Sequence, residues 1–231
     1  MDLVSIVALL ALGCATGFLA GLLGIGGGMI IVPFMALTLE RAGVAHEHTL
    51  KIAIATSLAT VLFTAISSVR AHHRKGSVRW DVVRSMAPGI VVGAFVAAQI
   101  VDRLDSRLIA AIFSAFIAWS AYGMLRGKAA QRADGSPREL PGAVGIFGAG
   151  ALIGLASGFL GAGGGFLTVP FLSRRGVPMA HAVGSSAACG IPIALGGTVG
   201  YVRAGLDLDV ALAMLGYLWL PGLAAVAIAR C

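Results

Sequence analysis

Two glycine triplets are the residues of this sequence best suited to bind a ligand. They lie 137 residues apart, at 26–28 and 163–165, and each separates an apolar helical run from a short apolar run that contains a proline. A helix that begins at such a break directs unpaired N–H groups and the positive end of its dipole towards the space before it. We therefore expect an anion site at the breaks. The predicted ligands are Gly26, Gly27, Gly28, Gly163, Gly164 and Gly165, with Pro33 and Pro170 as structural hinges.

Paired hydroxyl residues follow both triplets at matching positions. Thr56 and Ser57 correspond to Ser185 and Ser186 at an offset of 129 residues. Hydroxyl groups can donate to an oxyanion, although serine and threonine in apolar helices also bond back to the preceding turn. We expect all four to be substrate ligands near the triplets. The glycines spaced four residues apart upstream, at 17 and 21 and at 154 and 158, are expected instead to pack helices together.

Charged and reactive residues indicate a gate but no catalytic centre. Arg74 corresponds to Arg203 at the same offset of 129 residues, and the two are candidates for an electrostatic gate. His46, His48 and His181 are scattered, and the three cysteines lack metal-ligand spacing, so no metal site or cofactor is predicted. Since no serine, histidine and aspartate grouping is recognisable either, we do not expect an enzyme.

The composition is that of an integral membrane protein. Hydrophobic residues make up 58% of the chain and charged residues 12%, and the mean hydropathy is +0.93. A soluble domain carries about 25% charged residues. The net charge of +7 does not indicate nucleic-acid binding, because the basic residues lie in short loops between apolar runs.

Apolar runs of membrane-spanning length predict an all-helical, polytopic transmembrane bundle. Two shorter runs, 29–39 and 166–173, follow the triplets and are predicted to be half-helices or re-entrant segments. The predicted spans are 3–23, 52–70, 82–101, 107–126, 142–160, 182–202 and 210–229.

The matching segments divide the chain into two homologous repeats, each with a glycine-broken first helix. The first repeat covers 1–126, a hydrophilic linker covers 127–141, and the second repeat covers 142–231. The second repeat has no counterpart of span 107–126, and we expect its last helix to be missing. Four spans in each repeat predict a parallel relation between them, whereas glycine-broken segments that cross the membrane fully would change this parity.

The distribution of lysine and arginine predicts the orientation. If the loop after span 52–70 is cytoplasmic, ten of the 17 basic residues lie inside, six lie outside and one is terminal. Arg74 and Arg203 are both inside on this count. Cytoplasmic loops of membrane proteins carry the excess of basic residues. We therefore expect a multi-pass protein of the inner cell membrane with a cytoplasmic N-terminus.

Both copies of the glycine pattern, with Pro33 and Pro170 and the hydroxyl-bearing helix that follows, resemble the TauE/SafE sulfite exporter family of membrane permeases. The resemblance extends over nearly the whole chain. It implies a bacterial-type inner-membrane protein that moves small anions outward, such as sulfite, sulfonates, or related organosulfur or carboxylate anions. Family members usually continue beyond the second Pro-Gly, at Pro221 and Gly222 in this chain.

The expected function is therefore that of a membrane permease, a secondary transporter whose partners are a small anion and the lipid bilayer. A passive anion channel on the same scaffold is one alternative. The other is a non-transporting membrane scaffold or assembly protein, in which the glycines only pack helices. The sequence leaves the coupling ion, the direction of transport and the oligomeric state open.

Overall fold

A computed structural model of the protein describes residues 28–41, 43–125, 142–206 and 214–230. Within these ranges the chain is almost entirely helical, which confirms the all-α class, and its two strands are two residues long each. The elements are α1 (Gly28–Arg41), α2 (His46–Arg74), α3 (Trp80–Arg103), α4 (Ser106–Leu125), α5 (Ala143–Leu160), α6 (Gly165–Ser173), α7 (Met179–Ala204), β1 (Met214–Leu215), β2 (Leu218–Trp219) and α8 (Leu220–Arg230).

Helices α2, α3, α5 and α7 are long and apolar enough to cross a membrane. They contain or nearly coincide with the predicted spans 52–70, 82–101, 142–160 and 182–202, and α4 coincides closely with span 107–126. The predicted span 3–23 and the predicted linker 127–141 lie outside the described residues. The multi-pass helical bundle is thus confirmed for the part of the chain that the structure describes.

The predicted continuous span at 210–229 is wrong. Residues 214–219 form an antiparallel hairpin in which Met214 pairs with Trp219, and α8 is only 11 residues long. Gly216 turns the chain with φ of 60° and lies so close to the backbone of Val202 that a side chain at this position would meet the Val202 carbonyl oxygen. Hydropathy predicted the apolar character of this segment correctly but could not reveal the turn.

Both predicted half-helices are present. Helix α1 has 14 residues and α6 has nine, so at 1.5 Å per residue they span about 21 and 14 Å, less than the roughly 30 Å of a hydrocarbon core. Pro33 and Pro170 are each the sixth residue of their helix, and both helices continue past them. The interruption before α6 therefore precedes Pro170, and a hinge role for both prolines stays a prediction.

Glycine contacts join α3 to α5. Gly150 of α5 lies against the backbone of Met86, and Gly154 lies against that of Ile90, so residue numbers rise together and the helices run parallel. Gly158 lies on the same face of α5. A Cβ at this position would lie 2.6 Å from the Cβ of Ala97 in α3, so only glycine fits there. The expected packing role of the glycines at 154 and 158 is confirmed.

The matching helices α2 and α7 run antiparallel. Gly190 of α7 lies beside Ala65 of α2, whereas Gly197 lies beside Leu58, so residue numbers rise along one helix as they fall along the other. The parallel relation expected from four spans per repeat is therefore wrong for these two helices. Helix α7 lies against α3 through Gly196 and Gly200 and runs parallel to α3, as α5 does, so α6 returns the chain to the end of the bundle at which α5 began.

The antiparallel pair defines two ends of the bundle. At the turn end, residues 75–79 connect α2 to α3 and lie beside the beginning of α7. At the hairpin end, residues 214–219 lie beside the end of α7, and Lys51 near the beginning of α2 donates to the carbonyl oxygen of Asp102 at the end of α3, at 2.7 Å.

Candidate functional site

The second glycine triplet lies at a true break between helices. Helix α5 ends at Leu160, where Gly161 adopts a left-handed conformation with φ of 64° and the amides of Gly161 and Ala162 both donate to Ser157 O. Gly164, which has φ of 72°, then precedes the first residue of α6. Glycine adopts these two conformations without steric cost. The break thus follows directly from the positions of the glycines.

The N-terminus of α6 is enclosed by the bundle. The amides of Leu167 and Thr168 donate to Gly164 O, at 3.1 and 2.9 Å, so the amides before them have no acceptor within the helix. Residues 161–165 are all buried. No charged side chain occurs in 143–172 or 182–202, so neither of these segments brings a carboxylate near the helix terminus. The predicted amide-lined N-terminus at 163–165 exists, and it is closed to solvent in this structure.

Three fully buried hydroxyl groups in the helices around this break have no hydrogen-bond partner among the described residues: those of Ser157, Thr168 and Ser186. Ser157 Oγ is the nearest to the helix terminus, because a methyl group placed on Gly164 would lie 3.0 Å from it. Thr168 lies in the first turn of α6. A buried hydroxyl without a partner costs about 1–3 kcal/mol. Unpaired donors beside a helix N-terminus are the arrangement expected of an anion site.

Only Ser186 of these three was predicted from the sequence. Ser157 and Thr168 lack the repetition in both halves that indicated the other hydroxyl residues. Their counterparts at the offset of 137 residues are Ala20 and Ile31, which carry no hydroxyl group. A search for polar residues within one copy of the glycine pattern would have found both. The hydroxyl content of the two breaks is therefore unequal.

The first triplet meets the second break directly. Gly26 and Gly27 lie outside the described residues, but Gly28 begins α1 and approaches the carbonyl oxygen of Gly161 so closely that a Cβ would overlap it. Ser57 Oγ lies 2.9 Å from Gly161 O and 3.2 Å from Gly28 O. The single proton of Ser57 is thus shared between the carbonyl oxygens of Gly28 and Gly161, rather than left free for a solute.

The first residue of each hydroxyl pair bonds elsewhere. Thr56 Oγ1 accepts the amide of Trp219 at 3.1 Å, and Ser185 Oγ accepts the amide of Arg79 at 3.0 Å. Both accepting side chains are fully buried. The four predicted hydroxyl residues therefore have three different surroundings, and only Ser186 is left without a partner among the described residues.

Arg74 and Arg203 are not brought together. Both are exposed, Arg74 at the C-terminus of α2 and Arg203 near the C-terminus of α7. Because these helices are antiparallel, Arg74 lies at the turn end and Arg203 at the hairpin end, where its guanidinium carbon is 5.8 Å from the centre of the Phe95 ring. Their placement on one side of the membrane, used in the count of basic residues, is therefore wrong. A gate role for either remains a prediction.

The hairpin end carries a partly buried polar cluster that the sequence did not indicate. Tyr217 of the hairpin donates to Asp102 Oδ1 at 2.7 Å, and the ring of His48 lies 6.3 Å from that of Tyr217. Burial raises the pKa of Tyr217 above its ordinary value, and the bond to Asp102 adds to this effect. No group of three potential metal ligands occurs among the described residues.

Comparison of the sequence with known proteins relates this chain to membrane transporters. The profile of the sulfite exporter TauE/SafE family matches residues 9–230. A probable membrane transporter protein of Haemophilus influenzae is 37% identical over 218 residues, which cover 94% of this chain and 81% of the relative. Probable membrane transporter proteins of Xylella fastidiosa and Methanocaldococcus jannaschii are 36% and 27% identical, covering 80% and 96% of this chain and 70% and 78% of the relatives. No solved structure is a significant match. The chain therefore belongs to the sulfite exporter TauE/SafE family of membrane transporters.

Proposed function

We propose that this membrane transporter is a secondary carrier for small anions and that the N-terminus of α6 binds the anion. The main support for this site is Ser157, whose buried hydroxyl group has no partner among the described residues and lies beside Gly164 at that terminus. Amides and hydroxyl groups bind an anion without a permanent cation in the lipid. The described residues of the break are therefore suited to a small, desolvated oxyanion.

Sulfite, sulfonates and related organosulfur or carboxylate anions are the proposed substrates, moved outward across the inner membrane. The family resemblance supports this substrate range, and the neutral donors at the break are compatible with its members. We propose that the glycine triplets, Ser186 and the newly found Ser157 and Thr168 form the binding region. Since the break is buried from solvent, the bundle has to open on one side before an anion can enter or leave.

The turn end is proposed to face the cytoplasm. Seven lysine and arginine residues of the described chain lie at or near this end and five lie at or near the hairpin end. The seven are Arg70, Arg74, Lys75, Arg79, Arg84, Arg174 and Arg175, and the five are Arg41, Lys51, Arg103, Arg107 and Arg203; Arg230, at the C-terminus of α8, is assigned to neither end. The positive-inside tendency then favours the turn end as cytoplasmic. The N-terminus lies outside the described residues, so its cytoplasmic location stays a prediction.

Flux measurements in proteoliposomes test the proposal. The purified protein is reconstituted and supplied with sulfite, thiosulfate, sulfoacetate and small carboxylates, with and without an imposed proton or sodium gradient. We expect saturable flux of at least one anion that responds to one of the gradients. Flux that rises linearly with concentration would support the passive channel, and no flux of any anion, with a stable protein partner, would support the scaffold.

Substitutions that test the site must leave the backbone conformation at the break unchanged. Valine at Gly164 would strain a residue with φ of 72° and collide with Ile193, so loss of flux would report misfolding. Ser157→Ala, Thr168→Val and Ser186→Ala remove only hydroxyl groups that have no partner among the described residues. Reduced anion affinity in these three variants, with normal insertion, is the expected result; unchanged affinity in all three would refute the site.

A further inference from the structure

We propose that Thr56 and Ser185 are positioning residues that hold the two opposite ends of the transport pathway closed. The inference rests on the proposed transport function and assigns these two hydroxyl groups to gates rather than to the substrate. Thr56 in α2 contacts the segment that follows α7, and Ser185 in α7 contacts the segment that follows α2.

At the turn end, α7 holds the connection that leaves α2. Ser185 Oγ accepts the amide of Arg79, the residue before α3, at 3.0 Å. The preceding residue, Gly184, approaches Ser77 so closely that a Cβ would lie 2.5 Å from the Ser77 carbonyl oxygen. The turn at 75–79 is thus fastened to α7 by a hydrogen bond and by direct backbone packing.

At the hairpin end, α2 holds the connection that leaves α7. Thr56 Oγ1 accepts the amide of Trp219, the residue before α8, at 3.1 Å. The hairpin also packs through Gly216 against the backbone of Val202 in α7, and Tyr217 bonds to Asp102 at the end of α3. The hairpin therefore closes this end as the turn closes the other.

The two contacts are reciprocal. Thr56 and Ser185 correspond in the two repeats of the sequence, and their helices run antiparallel, so equivalent bonds are formed at opposite ends of the bundle. Thr56 of α2 accepts the amide just before α8, the helix that follows α7. Ser185 of α7 accepts the amide just before α3, the helix that follows α2. Both bonds are present together, which closes both ends at once. A carrier that exposes its site to each side in turn would break one bond while the other holds.

Each gate hydroxyl is followed in the sequence by a second buried hydroxyl residue. Ser57 follows Thr56 and contacts Gly28 and Gly161, and Ser186 follows Ser185 and is unpartnered among the described residues. Successive residues of an α-helix are about 1.5 Å apart along the axis and about 100° apart around it. A small rotation or shift of α2 or α7 on binding an anion therefore moves the adjacent gate bond as well.

Cysteine labelling tests the assignment. Ala53 and Ala182 occupy matching positions, three residues nearer the hairpin end and the turn end than the respective gate hydroxyl, and both are fully buried. Each is replaced singly by cysteine in a background whose three native cysteines are changed to alanine. Thr56→Val or Ser185→Ala is then added, and labelling by a membrane-impermeant maleimide is measured from each side of the membrane, without substrate. Thr64→Val is the control on α2, since its hydroxyl bonds within its own helix.

Opposite responses are expected. Loss of one hydrogen bond of ordinary strength changes an equilibrium by about fivefold, so Thr56→Val should raise labelling of Ala53→Cys about fivefold and leave Ala182→Cys unchanged. Ser185→Ala should raise labelling of Ala182→Cys about fivefold, from the opposite side of the membrane, and leave labelling of Ala53→Cys unchanged. Equal changes at both reporters, or none, would overturn the gate assignment. If either reporter prevents membrane insertion, Ala59→Cys and Ala188→Cys, a second matching pair, replace them.

The labelling and flux measurements together distinguish failure of the gates from failure of the carrier. Opposite responses without anion flux would leave the gates in place and refute the carrier. Saturable flux with labelling that neither gate substitution alters would keep the carrier and refute the gates.

Discussion

Ser157→Ala should weaken anion binding without destabilising the protein. The Ser157 side chain is fully buried and has no hydrogen-bond partner among the described residues, although it lies beside the N-terminus of α6. Burial of a hydroxyl group without a partner costs about 1–3 kcal/mol. Its removal should therefore leave the free energy of unfolding unchanged or raise it.

The effect on the ligand has the opposite sign. A hydrogen bond to a charged group contributes about 1.5–3 kcal/mol, which corresponds to a factor of about 10 to 100 in affinity. If Ser157 donates to the anion, the alanine variant should need about 10 to 100 times more anion for half-maximal flux. A rise in stability together with a fall in affinity is typical of a residue retained for binding rather than for folding.

Two measurements on the same preparation check this prediction. The concentration for half-maximal anion flux is taken from proteoliposomes, and the thermal midpoint is taken from the detergent-solubilised protein. Thr64→Val serves as the matched control, because Thr64 Oγ1 donates to Val61 O within α2 and both quantities should stay near their wild-type values. Unaltered affinity in Ser157→Ala would refute the site, and a lower thermal midpoint would show that the hydroxyl stabilises the fold instead.

Three further predictions concern the contacts that build the break and the bundle. Ser57→Ala should lower the free energy of unfolding by about 1–3 kcal/mol, since it leaves the buried Gly161 carbonyl unpaired; an unchanged thermal midpoint would contradict this. Gly154→Ala should destabilise by about 1–3 kcal/mol because its Cβ meets the α3 backbone. Gly148→Ala, which meets nothing within 4 Å, should stabilise slightly, and equal midpoints for the two would be inconsistent with the packing. Tyr217→Phe should cost about 1 kcal/mol through loss of the bond to Asp102, and should speed labelling at the hairpin end; slower labelling would argue against the hairpin as a gate.

The sequence alone determined the membrane-spanning helices, the break before α6 and the close packing at Gly154 and Gly158. Long apolar runs with few charged residues predicted the spans that became α2, α3, α5 and α7, because backbone groups in lipid have to bond within a helix. The triplet at 163–165 predicted the interruption before α6, since glycine tolerates the left-handed conformation found at Gly164. The GxxxG spacing at 154 and 158 predicted close helix packing. Each of these signals needs only a residue and its near neighbours in the chain.

The direction of the helices and the contents of the site were decided by the tertiary structure. Whether a half-helix returns to the side it came from depends on packing between distant segments, so the antiparallel relation of α2 and α7 was not predictable from the number of spans. The hairpin at 214–219 depends on contact of Gly216 with Val202. Ser157 has no hydroxyl counterpart in the first copy, and it became a candidate ligand only when folding left its Oγ buried beside Gly164 without a partner among the described residues. Sequence symmetry locates a break, but the partners of each hydroxyl group are set by long-range packing.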